Sequence, residues 1–148
     1  VIVVESVEKP GNLGAILRSC EAFGIDALIV TDTKVDFYNP NVLRSSVGCF
    51  FGMNVFSATN EETLAFLQKN DFKIYTTFMD ESAEDIYQKN FTEKSALFFG
   101  TEHSGLSDFW LKKGQNILIP MSGTIDSLNL SNAVAITCYE ILRQKLSK

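Results

Sequence analysis

Histidine, cysteine and positive charge are all scarce in this sequence. Its 148 residues include one histidine and three cysteines, and 18 aspartates and glutamates outnumber 13 lysines and arginines. The cysteines, Cys20, Cys49 and Cys138, lack the spacing of metal ligands, and no Cys/His cluster is present that would bind zinc. We therefore expect no metal site, and we interpret the cysteines as buried thiols of a reducing compartment.

Long apolar runs are also missing. No stretch approaches the roughly 20 residues of a membrane span, and no signal peptide pattern is present, so we expect a cytoplasmic protein without a membrane contact. The net charge of −5 makes the chain a poor nonspecific binder of nucleic acid. Any RNA contact therefore requires a local basic surface, a partner subunit or a segment outside this sequence.

The composition, with 45% hydrophobic residues, predicts one globular domain over residues 1–148. Short apolar runs predict strands at residues 1–4, 25–31, 53–56, 72–78, 95–99 and 116–119. Amphipathic stretches predict helices at 12–23, at 41–47, after Asn60, around 108–113, and from Asn129 to the end; residues 81–94 read as loop with a turn or two of helix. This alternation predicts an α/β fold with a mainly parallel sheet and helices on both faces.

Three strand-to-helix loops hold unusual residues. The first holds Asn12, with Arg18 on the following helix. The second holds Glu102 within residues 100–105, and the third spans residues 119–129. The carboxyl ends of parallel strands share one edge, so these loops can converge on one crevice. The first loop, GNLG, lacks both the G-x-G-x-x-G spacing and the P-loop lysine.

The residues alone leave the roles of these loops open. Arg18 is either a solvated surface arginine or a guanidinium that binds phosphate. Glu102 is either a plain loop acid or a carboxylate that orients Arg18 or holds a substrate group. Ser127 and Asn129 are both plausible N-caps of the last helix, in a loop that is either an ordinary helix start or a ligand site. His103 is interpreted as a surface histidine.

Taken together, the three stretches resemble the motifs of the SpoU/TrmH family of RNA ribose 2′-O-methyltransferases, within the SPOUT superfamily. Residues 11–24, 99–106 and 119–129 resemble the first, second and third family motifs, and residues 39–48 are also similar to the family. The resemblance covers nearly the whole chain. All three motifs in this order and at these separations are highly specific.

The resemblance implies a carboxyl-terminal trefoil knot, a homodimer with the site at the subunit interface, S-adenosylmethionine as methyl donor, and tRNA or rRNA as substrate. It implies functional polar roles for Asn12, Arg18, Glu102, Ser127 and Asn129. It implies cofactor contacts, largely through backbone, near Thr76, Thr77, Gly100, Ile119, Met121 and Leu128.

Two other functions fit parts of the sequence. One is a non-catalytic RNA-binding module that retains the methyltransferase fold, against which the intact set Asn12, Arg18, Glu102 and Asn129 argues. The other is an unrelated doubly wound nucleotide-binding protein, against which the missing dinucleotide fingerprint counts. Many family members carry an amino-terminal RNA-binding extension, and the strand-like start at Val1 leaves open whether one precedes this sequence.

Overall fold

The computed structural model describes residues 1–147 and contains a single parallel β-sheet. Its strands are β1 (Ile2–Glu5), β2 (Leu28–Thr31), β3 (Val55–Ala58), β4 (Lys73–Thr76), β5 (Glu84–Asp85), β6 (Ser95–Phe99) and β7 (Gln115–Leu118). Its α-helices are α1 (Pro10–Ala22), α2 (Pro40–Ser45), α3 (Asn60–Lys69) and α4 (Leu130–Leu146). The strands run parallel in the order β3-β2-β1-β6-β4-β7-β5, which confirms the predicted parallel sheet.

Apolar side chains cover both faces of the sheet, as predicted. On one face, Ile2 and Val4 of β1 belong to the core cluster that includes the buried apolar side chains of α1 and α4. On the other face, Val3 clusters with Leu67 of α3 and with Trp110. β1 is therefore buried on both sides, which explains its continuous apolar run.

The last helix packs along its predicted stripe. The four apolar residues of that stripe are all buried: Leu130, Val134, Cys138 and Ile141. Of the two candidate caps, Asn129 is the N-cap, because its Oδ1 accepts a hydrogen bond from the Ser131 backbone N–H at 2.9 Å. The stripe and the cap together determine where α4 begins and which face it buries.

Two predicted helix starts are wrong. α1 begins at Pro10 rather than after Asn12, because the fixed φ of proline suits the first helical position. α3 has Thr59 as its N-cap, and Thr59 and Glu62 form a capping box. Asn60 therefore lies inside the first turn of α3, where it is buried.

Two other segments also differ from expectation. Residues 108–113 contain only a 3₁₀ turn, Asp108–Trp110, and the hydroxyl of Ser107 donates to Glu5 instead of capping a helix. Residues 81–94 contain the two-residue edge strand β5 besides one 3₁₀ turn. A strand this short has no measurable alternation, so sequence periodicity could not detect it.

Candidate active site

Three side chains from distant parts of the chain meet at the carboxyl ends of β1 and β6. Asn12, in the first turn of α1, donates through Nδ2 to Glu102 Oε1 at 3.2 Å. Asn129 donates through its Nδ2 to the same oxygen at 2.5 Å. Because β1 and β6 are neighbouring strands, the loops after them share one edge, and the predicted convergence is confirmed for these three residues.

Lys9 completes this group, and sequence reasoning missed it. Its Nζ lies 2.9 Å from Glu102 Oε2. Hydrogen bonds from Lys9 and then Asn12 hold the pKa of the Glu102 carboxyl below its usual range, because they favour the ionised form. The Leu130 backbone N–H, at the start of α4, lies 3.4 Å from Oε1 and acts in the same direction. The only signal in the sequence was the position of Lys9, three residues before Asn12.

A closed turn holds Glu102 in place. Thr101 and Gly105 exchange two backbone hydrogen bonds of 3.1 and 3.0 Å, and the Ser104 N–H donates to Thr101 Oγ1 at 2.9 Å. Gly105 adopts a left-handed φ of +66°, which favours glycine. At Gly100, an added Cβ would lie 1.9 Å from the Gly105 carbonyl carbon. The turn therefore requires a glycine at each end.

Three of the predicted cofactor residues lie at the carboxyl ends of three neighbouring strands. Thr76 ends β4, Gly100 follows β6, and Ile119 follows β7, and these strands are adjacent in the order β6-β4-β7. The Thr77 hydroxyl donates to the Phe98 carbonyl at 2.8 Å and so ties the end of β4 to β6. The carboxyl edge of such a sheet is where open α/β folds bind ligands.

The segment between β7 and α4 is exposed over residues 120–127. Within the part of the chain that the structure describes, these residues form no backbone–backbone hydrogen bond. Ser127 and Met121 are exposed, and Leu128 is half-buried. Unpaired backbone groups need a partner, either water or a ligand. The segment therefore fits the backbone-mediated cofactor contacts that the family resemblance implies.

Arg18 lies apart from Glu102 within one chain. It is exposed on α1, six residues beyond Asn12, which is about 9 Å further along the helix axis. Among residues 1–147, no hydrogen bond or ion pair involves its guanidinium. The side-chain partners of Glu102 in the chain are instead Lys9, Asn12 and Asn129. A contact between Arg18 and Glu102 across a subunit interface stays a prediction.

The cysteines and the histidine lie as follows. Cys20 and Cys138 are buried, as expected, whereas Cys49 is only partly buried, so that prediction is wrong for Cys49. His103 is exposed on the turn beside Glu102. In the described residues, no group of His, Cys, Asp and Glu side chains is arranged to hold a metal ion. None of the described helices has the length and apolarity of a membrane span.

The fold is that of an α/β protein with a cluster of polar side chains at the carboxyl ends of its parallel strands. The sequence matches the SpoU rRNA Methylase family over residues 1–139. The chain belongs to this family.

Curated relatives cover nearly all of the chain. A tRNA guanosine 2′-O-methyltransferase of Thermus thermophilus is 34% identical, over 98% of this chain and 75% of that protein. A 23S rRNA uridine 2′-O-methyltransferase of Streptomyces viridochromogenes is 32% identical, over 99% of this chain and 53% of that protein. The chain thus spans about half the length of some of the relatives that it matches.

Solved structures show the same fold. The SpoU methyltransferase of Streptomyces viridochromogenes in complex with AdoMet has a TM-score of 0.91 and 30% identity, over 99% of this chain and 60% of that one. The crystal structure of an RNA 2′-O ribose methyltransferase has a TM-score of 0.88 and 38% identity, over 99% of this chain and 57% of that one. These similarities confirm the α/β fold with its parallel sheet.

Proposed function

We propose that this chain transfers a methyl group from S-adenosylmethionine to a ribose 2′-hydroxyl of tRNA or rRNA. The observation that carries the proposal is the meeting of Asn12, Glu102 and Asn129 at the carboxyl ends of β1 and β6. The unpaired backbone of residues 120–127 follows β7, which is separated from β6 by β4 alone. Membership of the SpoU family and the names of the relatives support the reaction.

The residues that would hold the cofactor lie at or beyond the carboxyl ends of β4, β6 and β7. They are Thr76, Thr77, Gly100, Ile119, Met121 and Leu128. Apolar side chains among them suit a mostly apolar pocket, and free backbone groups supply the few polar contacts that orient a ligand. When bound, S-adenosylmethionine supplies an electrophilic methyl group.

The chain's own residues position the nucleophile. A ribose 2′-hydroxyl must lose its proton, to solvent water, as its oxygen attacks the methyl carbon, because an arginine is normally locked in its charged form and cannot accept that proton. We therefore propose that Arg18 binds an RNA phosphate and orients the hydroxyl. Its planar guanidinium, with donors arranged as a fork, is suited to binding phosphate. Glu102, held ionised by Lys9 and Asn12, braces Arg18 or the subunit interface. Ser127 and Asn129 shape the ribose and cofactor pockets.

A homodimer would bring Arg18 to a site on a second subunit. Arg18 is exposed and unpaired by the described residues, and Ile136 and Tyr139 of α4 are exposed apolar residues. The Tyr139 ring packs edge-on against Phe23 of α1, with centroids 5.8 Å apart. Exposed apolar side chains on adjoining helices favour a protein interface. A trefoil knot in the carboxyl-terminal part of the chain and a cytoplasmic location complete the proposal.

The alternative of a non-catalytic RNA-binding module has less support. It would not require Glu102 to be held ionised by Lys9 and Asn12 and bound by Asn129 from the start of α4. The relatives in the comparison are named as methyltransferases. Methyl transfer itself separates the two functions.

Two measurements test the proposal. Calorimetric titration of the purified chain with S-adenosylmethionine is expected to show binding, and a tritiated-methyl assay on bulk tRNA and rRNA is expected to show transfer to a ribose 2′-oxygen. Binding without transfer would favour the non-catalytic module or a need for RNA delivery by a further segment. Failure of the folded chain to bind would contradict the proposal.

A further inference from the structure

A buried carboxylate at the end of β1 touches the segment that follows the Glu102 turn. Glu5 is only 3% exposed. Its Oε2 accepts a hydrogen bond from the Ser107 backbone N–H at 2.7 Å. Its Oε1 accepts from the Ser107 hydroxyl at 2.6 Å and from Asn60 Nδ2 at 2.6 Å. A carboxylate this buried needs such donors, because burial removes the water that would otherwise solvate it.

The hydrogen bonds around Glu5 form a closed ring. Asn60 donates to Glu5 and accepts on its Oδ1 from Trp110 Nε1 at 3.2 Å. The Trp110 backbone N–H donates to the Ser107 carbonyl at 3.2 Å, and Ser107 donates back to Glu5. The ring joins β1, the first turn of α3 and the 3₁₀ turn. Glu5, Asn60 and Trp110 are buried and Ser107 is exposed, so the bonds among the three buried side chains support one another in a medium of low polarity.

This ring anchors two of the three loops of the candidate active site, those that hold Asn12 and Glu102. Ser107 lies two residues beyond the turn 101–105, whose closing hydrogen bonds make it one unit with Glu102. Glu5 lies four residues before Lys9, on the strand that leads to Asn12. The Glu5–Ser107 contact therefore fixes the position of the turn that holds Glu102. It places the Glu102 carboxylate within reach of Lys9 and Asn12.

We infer that Glu5 is a positioning residue that, through Ser107, holds Glu102 against Lys9 and Asn12. The inference takes its catalytic consequence from the proposed methyl transfer. Glutamine cannot reproduce the contact, since its amide nitrogen would face either the Ser107 N–H or the Asn60 amide, and both are donors. Losing the hydrogen bonds of Glu5 is expected to shift the turn that holds Glu102 while every residue of the candidate active site is still present.

The first test measures the pKa of the Glu102 carboxyl by NMR titration of the Glu5→Gln variant. Removing a nearby negative charge can only lower the pKa of Glu102 through space. A rise of that pKa toward the ordinary glutamate value therefore reports lost hydrogen bonds from Lys9 and Asn12. The matched control is Glu8→Gln, which removes the same charge from an exposed side chain that binds Lys34 instead. It is expected to leave the pKa unchanged or slightly lower.

The second test measures methyl transfer by the same two variants. Glu5→Gln is expected to lower kcat about a hundredfold, the effect of an ångström-scale misplacement, with little change in KM for RNA. Glu8→Gln is expected to retain the wild-type kcat. Ser107→Ala, which keeps the backbone donor and loses the hydroxyl, is expected to give a smaller change in the same direction.

The outcomes separate this inference from the proposed function. A folded Glu5→Gln variant with an unchanged or lowered pKa of Glu102 and an unchanged kcat would overturn the positioning role, even if its melting temperature fell. Wild-type protein that transfers no methyl group would overturn the proposed function, while the titration would still decide whether Glu5 positions Glu102. If Glu5→Gln does not fold, Ser107→Ala decides, and an unchanged pKa of Glu102 in that variant would overturn the role.

Discussion

Asn129 Nδ2 lies 3.4 Å from Asn12 Oδ1, although 117 residues separate them in the chain. Both amides also donate to Glu102 Oε1. One carboxylate oxygen thus joins the start of α1, the turn after β6 and the start of α4. A change at any of the three residues alters the surroundings of the other two.

Asn129→Asp tests the shared contact without removing the helix cap. Aspartate caps a helix as well as asparagine does, but its carboxylate would repel Glu102 and raise the pKa of that group. We expect methyl transfer to fall by at least about tenfold, which corresponds to about 1.4 kcal/mol in the barrier. Asn132→Asp, an exposed change in the first turn of the same helix, is the control. Equal activity of the two variants in the tritiated-methyl assay would contradict the prediction.

Lys9→Met tests the pH dependence of stability. The pKa of Glu102 in the folded state is lowered, so the ionised carboxylate stabilises the folded state at neutral pH. That stabilisation is lost as the pH falls from about 4.3, the ordinary glutamate pKa, through the lower pKa of the folded state. Lys9→Met removes the hydrogen bond that lowers the pKa of Glu102 most. The variant should therefore lose less stability on acidification than the wild type. Urea unfolding at neutral pH and below pH 4 measures the difference, with Lys69→Met as the control. A steeper loss in Lys9→Met would refute the assignment.

Gly100→Ala tests the close approach of the Glu102 turn. The new Cβ would meet the Gly105 backbone at 1.9 Å, and overpacking of this kind typically costs about 1–3 kcal/mol or more. Gly52→Ala is the control because its Cβ would meet nothing within 4 Å, so its effect should stay within about 0.5 kcal/mol. Chemical unfolding compares the two variants, and similar midpoints would show that the turn can relax.

Arg18→Ala tests the phosphate-binding arginine. Turnover is expected to fall by several orders of magnitude while S-adenosylmethionine still binds, because Arg18 is exposed and makes no contact that the fold requires. Arg143→Ala is the control, since it removes an exposed arginine whose guanidinium pairs within its own helix with Glu140. Single-turnover kinetics and calorimetry measure the two effects. A variant that retains most of its turnover would exclude the role.

Mixing two inactive variants tests whether each site is built from two subunits. Light scattering is expected to show a dimer. If Arg18 acts across it, mixed Arg18→Ala and Asn129→Ala chains should recover about one quarter of wild-type activity, because half of the dimers are mixed and each mixed dimer has one intact site. The controls are the two variants assayed alone. A monomer, or a mixture without recovery, would place the whole site in one chain.

The local sequence predicted much of this molecule. Apolar runs such as that of β1 identified six of the strands, and the stripe from Leu130 to Ile141 identified the buried face of α4. The rule that parallel strands share a carboxyl edge brought Asn12, Glu102 and Asn129 together before any contact was known. These features could be predicted because periodicity and turn chemistry depend on near neighbours in the chain.

The amino-acid sequence by itself determined the fold class, the family and the polar residues at the sheet edge. Only the tertiary structure decided that Lys9 holds Glu102 and that Glu5 binds Ser107, 102 residues away. It also separated Arg18 from Glu102 within one chain. The physical reason is that a side chain's partner depends on strand order and on the path of each loop. Neither leaves a local pattern in the sequence, whereas burial and backbone preference do.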